Sequence, residues 1–139
     1  MSAFFFFADG QWQVIHSEAD GFLNKEGVFI EPAASFIRNC KAFAVYRLKD
    51  RKAAAQLSRH AKKYLSTPFD FSFDLEDESK IYCTELIYLA MRDAGSELPA
   101  YYHPDLKRRV ITIDSCQDPE IFDEIITFGK KDTKEADRE

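Results

Sequence analysis

The chain has 139 residues, 45% of them hydrophobic and 31% charged, which suits one domain built around one core. Its net charge is −5 and its only basic run is Leu106-Lys107-Arg108-Arg109, so nucleic acid is excluded as an expected partner. No apolar run approaches the roughly 20 residues of a transmembrane helix, and MSAFFFFADG lacks the basic start of a signal peptide.

In chain order, Ala3 to Phe7 reads as an apolar strand, Asp9-Gly10 as a turn and Gln11 to Ser17 as the return strand. Trp12, Val14 and His16 then share one face of that return strand. Five apolar residues in succession predict a first strand buried on both sides. A short strand follows around Val28 to Ile30, and Pro32 opens a short helix. Ala42 to Lys49 is a further strand, and Asp50 caps a helix predicted over Arg51 to Leu65. STPFDFSFDLEDES breaks that helix and reads as extended and partly exposed. The next helix carries Cys83, Leu86, Ile87, Ala90 and Ala94 on one face, and Gly95 stops it. RRVITID is a strand, and DPEIFDEII is a short turn or helix leading into a last strand through Phe128. The class is α+β, with a single domain over residues 1–128 and a charged, disordered tail over 129–139.

Cys40, Cys83 and Cys116 show no CxxC spacing, which predicts neither a disulfide framework nor a zinc site. A reducing setting, with the cytoplasm favoured, is the corresponding expectation. The three histidines are isolated, so no metal and no cofactor are expected. Cys83 sits where a helix begins. There the first N–H groups lack partners and the helix dipole is positive, which favours a thiolate and a developing oxyanion. It also lies on the apolar face, where a free cysteine packs well. The residues by themselves leave both readings open.

The segment FDFSFDLEDESKIYCTELIYLAMRDAG resembles the YiiX-like permuted papain-fold family, a branch of the NlpC-type peptidase superfamily with lecithin retinol acyltransferase among its relatives. The family's extended YDxxFD segment, acidic loop and YCSEL helix start are matched by Phe69-Asp70, Phe73-Asp74, Glu76 to Glu78 and Tyr82-Cys83-Thr84-Glu85-Leu86. DGQWQVIHSEADGF, VFIEPAASFI and ITIDSCQDPEIFDEIITF are similar to its flanking elements, so the resemblance covers most of residues 3–128.

The resemblance implies a circularly permuted papain-like fold, an antiparallel sheet packed against helices. It implies a thiol hydrolase that cleaves an amide or ester through a thioester on Cys83. The backbone N–H of Thr84, which replaces the usual Ser, or that of Cys83 would receive the oxyanion, and Glu85 would pair structurally. His16 falls where the family carries a second polar member, orienting the catalytic imidazole or sharing its role. The family's general-base histidine precedes the first strand, where this chain has Met1-Ser2. That departure is expected either of a sequence that begins too late to include the histidine or of an alternative, a non-catalytic member acting as a binding or scaffold module. A plain α+β domain with a packing cysteine is the third reading.

His16 is the best substitute base, while His103 reads as a surface loop residue and His60 as a helix surface residue. Asp70, Asp74, Glu76, Asp77 and Glu78 lack the glycine turn of a calcium loop and read as a solvated acidic face. The expected substrate is a peptide, a small amide or a lipid-like molecule whose acyl chain lies in an apolar groove beside Cys83.

Overall fold

Asp9 and Gly10 both take positive φ, 53° and 78°, and this two-residue turn sets the first hairpin. The structure, a computed structural model, describes residues 2–20, 25–38 and 40–129. The hairpin joins β1 (Phe4–Ala8) to β2 (Gln11–Asp20), and β3 (Lys25–Pro32) pairs antiparallel with the other side of β2. Then come α1 (Ala33–Arg38), β4 (Phe43–Leu48), α2 (Arg51–Ala54), α3 (Leu57–Ala61), a 3₁₀ turn (Lys62–Tyr64) and α4 (Cys83–Asp93). The chain continues through β5 (Tyr101–His103), β6 (Arg108–Val110), a second 3₁₀ turn (Asp114–Gln117) and β7 (Phe122–Phe128). The β1-β2-β3 sheet is accompanied by two antiparallel ribbons, β4 with β7 and β5 with β6. This mixture of helices and antiparallel strands is α+β.

The core lies between the sheet and α4. Phe4, Ile15 and Val28 meet Leu86, Ile87, Leu89, Ala90 and Met91 there, with Ala61 and Phe122 closing the sides. Strand alternation decides which residues take part. Ile15 faces α4, whereas Val14, fully buried, lies on the opposite face with Ala33 of α1 and is not part of that cluster. Beyond β3, Val28 N–H donates to Thr67 O at 2.9 Å, and Ser66 N–H donates to Val28 O at 2.9 Å. Gly27 permits this crossing, since a Cβ there would lie 2.2 Å from Thr67 O.

Three expectations change. β1 is an edge strand, with Phe7 62% and Phe5 37% exposed, so it is not buried on both sides. The helix expected over 51–65 is three short pieces. Asp50 does cap the first, accepting from Ala53 N–H at 3.1 Å, but the chain turns at Ala55-Gln56 before restarting. His103 ends strand β5 rather than lying in a loop, and its Nδ1 accepts from Leu106 N–H at 3.3 Å in the hairpin turn. The tail, from residue 130 onward, lies outside the described residues.

Candidate active site

The entry to α4 is held from four directions. Ile81 N–H donates to Pro68 O at 2.8 Å, and Ile81 O accepts from Asp70 N–H at 3.3 Å and from Ser17 Oγ at 2.6 Å. Next in sequence, the buried Tyr82 hydroxyl accepts from Ile111 N–H at 2.9 Å. Thr84 Oγ1 donates to Ile111 O at 2.6 Å, so both polar groups of one peptide residue grip the helix start. Burial, ahead of every other influence, pushes the Tyr82 phenol well above its ordinary range and keeps it a neutral hydroxyl. Cys83, the first residue of α4, remains half-buried between these two anchored, buried neighbours. The first helical bond is Leu86 N–H to Tyr82 O at 3.2 Å. Among the described residues no acceptor takes the amide of Cys83 or Thr84. Two free N–H groups and the side chain of a partly buried cysteine therefore share one helix terminus.

Glu85 is fully buried, with Oε1 accepting from Tyr82 N–H at 3.1 Å and Oε2 without a partner. Burial raises its pKa to about 8; the Tyr82 N–H opposes the rise, and Asp70, Glu78 and Asp74 add to it. It stands two residues after Cys83, about 200° around the helix. It fixes the N-cap and does not face the sulfur.

His16 does not join Cys83. Ser17, its neighbour on β2, points to Ile81 and the α4 side, so His16 points to the α1 side. There its ring lies 4.6 Å from Phe29 and 4.9 Å from Phe36 of α1, and its Nε2 is 3.0 Å from Glu31 Oε2. His60 pairs with Gln56 on α3, and His103 stays in its hairpin. Among the described residues no imidazole hydrogen-bonds the Cys83 thiol.

A model of the permuted papain-like amidases, YaeF/YiiX, C92 family, matches residues 6–117. This chain belongs to that family. A solved structure similar to the amidase-family chain is the metalloprotein YiiX of Escherichia coli O157:H7, with a TM-score of 0.65 at 16% identity over 86% of this chain and 83% of that one. The likeness fits the permuted papain-like fold. No curated protein matches the sequence.

Two features of this permuted papain-like chain adjoin the helix start. An apolar cavity of about 1100 Å³ is lined by Phe4, Phe36, Phe43, Ile87, Cys116 and, at its β1 end, Ser2. Its wall does not include Cys83, but Ile87 stands one turn beyond it on the same helix face. The Cys116 thiol is pushed up to about 12, chiefly by burial and then by the nearby Cys83, so it is a neutral wall residue. Cys40 lines the same cavity and donates to Phe36 O at 3.4 Å.

The acidic loop builds turns. Asp70, 2% exposed, accepts from Ser72 and Asp74 N–H at 2.8 Å each, Asp74 from Glu76 N–H, and Asp77 from Ser79 N–H. Glu78 pairs with Arg92 at 3.0 Å.

The grouping that sequence reasoning missed is His16 with Glu18 and Glu31, whose candidate ligand atoms lie within 4.8 Å of one another. His16-Ser17-Glu18 is a period-two pattern that sequence alone displays. The third member comes from β3, and only the strand register brings it in.

Proposed function

We propose that this family member is a cysteine hydrolase of amide or ester bonds with Cys83 as nucleophile. The supporting observation is a partly buried cysteine at the first position of an eleven-residue helix, beside the two unclaimed amides of Cys83 and Thr84. The Cys83 sulfur attacks the carbonyl carbon, and its proton leaves to a base. The amides receive the negative charge on the carbonyl oxygen. Collapse expels the amine or alcohol, which takes up a proton. Water then cleaves the thioester, releasing the acid and restoring the thiol.

The adjoining apolar cavity supports a substrate with an apolar acyl or side-chain portion. The Escherichia coli neighbour is described as a metalloprotein. In this chain the residues that fit a metal, His16, Glu18 and Glu31, lie across the sheet from Cys83. A cation held there would supply charge neutralisation and a cross-link between β2 and β3, and the thioester step runs without it.

The test is thiol alkylation followed by peptide mass mapping, together with mass detection of an acyl-enzyme from an activated ester. Cys83 is expected to label well before Cys40 and Cys116 and to carry the acyl group. Labelling of Cys83 no faster than Cys116 would overturn the proposal. One observation favours a second reading, a binding module: no described imidazole hydrogen-bonds the sulfur. Fast labelling of Cys83 without any acyl-enzyme or turnover would select it.

A further inference from the structure

The face of the sheet turned away from Cys83 carries its own polar cluster. His16 and Glu18 are two apart on β2 and so project together. Val14 pairs with Glu31 and His16 with Phe29, which sets Glu31 diagonally beside His16 on the same face. His16 is 1% exposed, whereas the side chains of Glu18 and Glu31 keep 26% and 16% of their surface. Glu31 Oε2 reaches His16 Nε2 at 3.0 Å. Glu18 Oε2 approaches Nδ1 at 3.5 Å, but the contact is not a hydrogen bond, and Nδ1 is buried without a partner. Among the described residues neither glutamate has a lysine or arginine ion-pair partner. Two carboxylates thus share a half-buried place with one imidazole, whose rim is the rings of Phe29 and Phe36.

We propose that His16, Glu18 and Glu31 form a binding site for a first-row divalent transition metal, zinc foremost. One imidazole nitrogen and two carboxylates are a donor set that zinc accepts and that magnesium and calcium, oxygen-seeking ions, do not favour. Tetrahedral zinc bonds of about 2.0–2.2 Å set donors roughly 3.3–3.6 Å apart. The ligand atoms, within 4.8 Å of one another, must therefore draw in by about an ångström, which rotation of the partly exposed glutamate side chains supplies. The partly exposed glutamates leave a path for the ion and room for water as a further ligand. The cation neutralises both carboxylates and pins β2 to β3. None of this depends on Cys83 being a nucleophile.

The experiment uses the full chain, stripped of metal with a chelator and titrated with zinc ion by calorimetry, with metal content after dialysis as a second readout. One equivalent is expected, bound equally by Cys83→Ser. Glu18→Gln and Glu31→Gln each weaken binding by roughly tenfold or more, with magnesium ion giving no heat in any form. Cobalt loading is expected to give ligand-field bands without a thiolate-to-metal charge-transfer band. Circular dichroism checks that the two isosteric variants, at partly exposed positions, stay folded where His16→Asn does not. No binding, binding that both folded glutamine variants retain, or binding that Cys83→Ser removes would each overturn the site.

Discussion

The two faces of β2 hold two polar sites with different solutions to burial. On the α4 side, Ser17 ties down the peptide before Tyr82, and Glu85 is sealed with no ion-pair partner among the described residues. On the α1 side, Glu18 and Glu31 keep part of their surface and flank an imidazole. The first arrangement leaves a carboxyl neutral and backbone amides unclaimed, which suits a site where charge develops transiently. The second gathers two carboxylates around one imidazole, which suits a resident cation. Adjacent residues on one strand thus belong to unrelated chemistry, and a one-residue change in register would exchange them.

The largest expected effect comes from putting an imidazole on the α4 side. Phe4 and Phe6 of β1 pack against the α4 core, so Ser2, two and four residues earlier, continues that face. Its Oγ is buried without a partner, and it lines the cavity with Ile87 and Cys116. The family resemblance places a general-base histidine just ahead of this strand. Ser2→His is expected to raise Cys83-dependent ester or amide hydrolysis by roughly 10²–10⁴-fold. The rates are measured against the same substitution in a Cys83→Ala background. An unchanged rate in folded protein would break the assignment of the α4 side as the hydrolytic one.

Much of this arrangement was legible in the chain itself. Asp9-Gly10 marks a turn by its chemistry, and Cys83 to Gly95 shows both helical spacing and a stop at a glycine with φ of 83°. The partners of these elements were less legible. His16 was expected near Cys83 because both belong to recognisable family segments, but the packing of Ile15 and the hydrogen bond from Ser17 show that β2 turns His16 the other way. Glu31 carries no local mark that ties it to a histidine fifteen residues earlier; that link is written in strand register. The break at Ala55-Gln56 has no glycine or proline to announce it, and the apolar run of β1 gives no sign that one face of an edge strand stays open.

Glu85 sharpens the comparison through pH. Its pKa in the folded chain, about 8, lies above the ordinary carboxylate value of 4.5. The folded state therefore holds this proton more tightly than the unfolded one. That contribution to stability is complete below about pH 4.5, declines as pH rises and is gone above about pH 8. Glu85→Gln keeps an acceptor for Tyr82 N–H without the ionisation. Denaturant melts are expected to show the variant gaining on the parent between pH 5 and pH 9 by an amount on the order of 3 kcal/mol. A parallel pH dependence in the two chains would mean that Glu85 is ionised in the folded state, and the contrast between the two faces would fail.

The smallest effect separates structure from chemistry at Thr84. Its hydroxyl donates to Ile111 O in a buried setting, while its amide is one of the two unclaimed N–H groups. Thr84→Val removes the donor, strands the carbonyl and costs about 1–3 kcal/mol. Thr84→Ser keeps the donor and loses one methyl group, so the cost is about 0.8 kcal/mol. Neither substitution alters the backbone N–H. If that amide is what serves the oxyanion, Thr84→Ser should alkylate at Cys83 and acylate at the parental rate despite its slightly lower melting point. A large rate loss with intact stability would instead assign the work to the side chain, which its bond to Ile111 O already occupies.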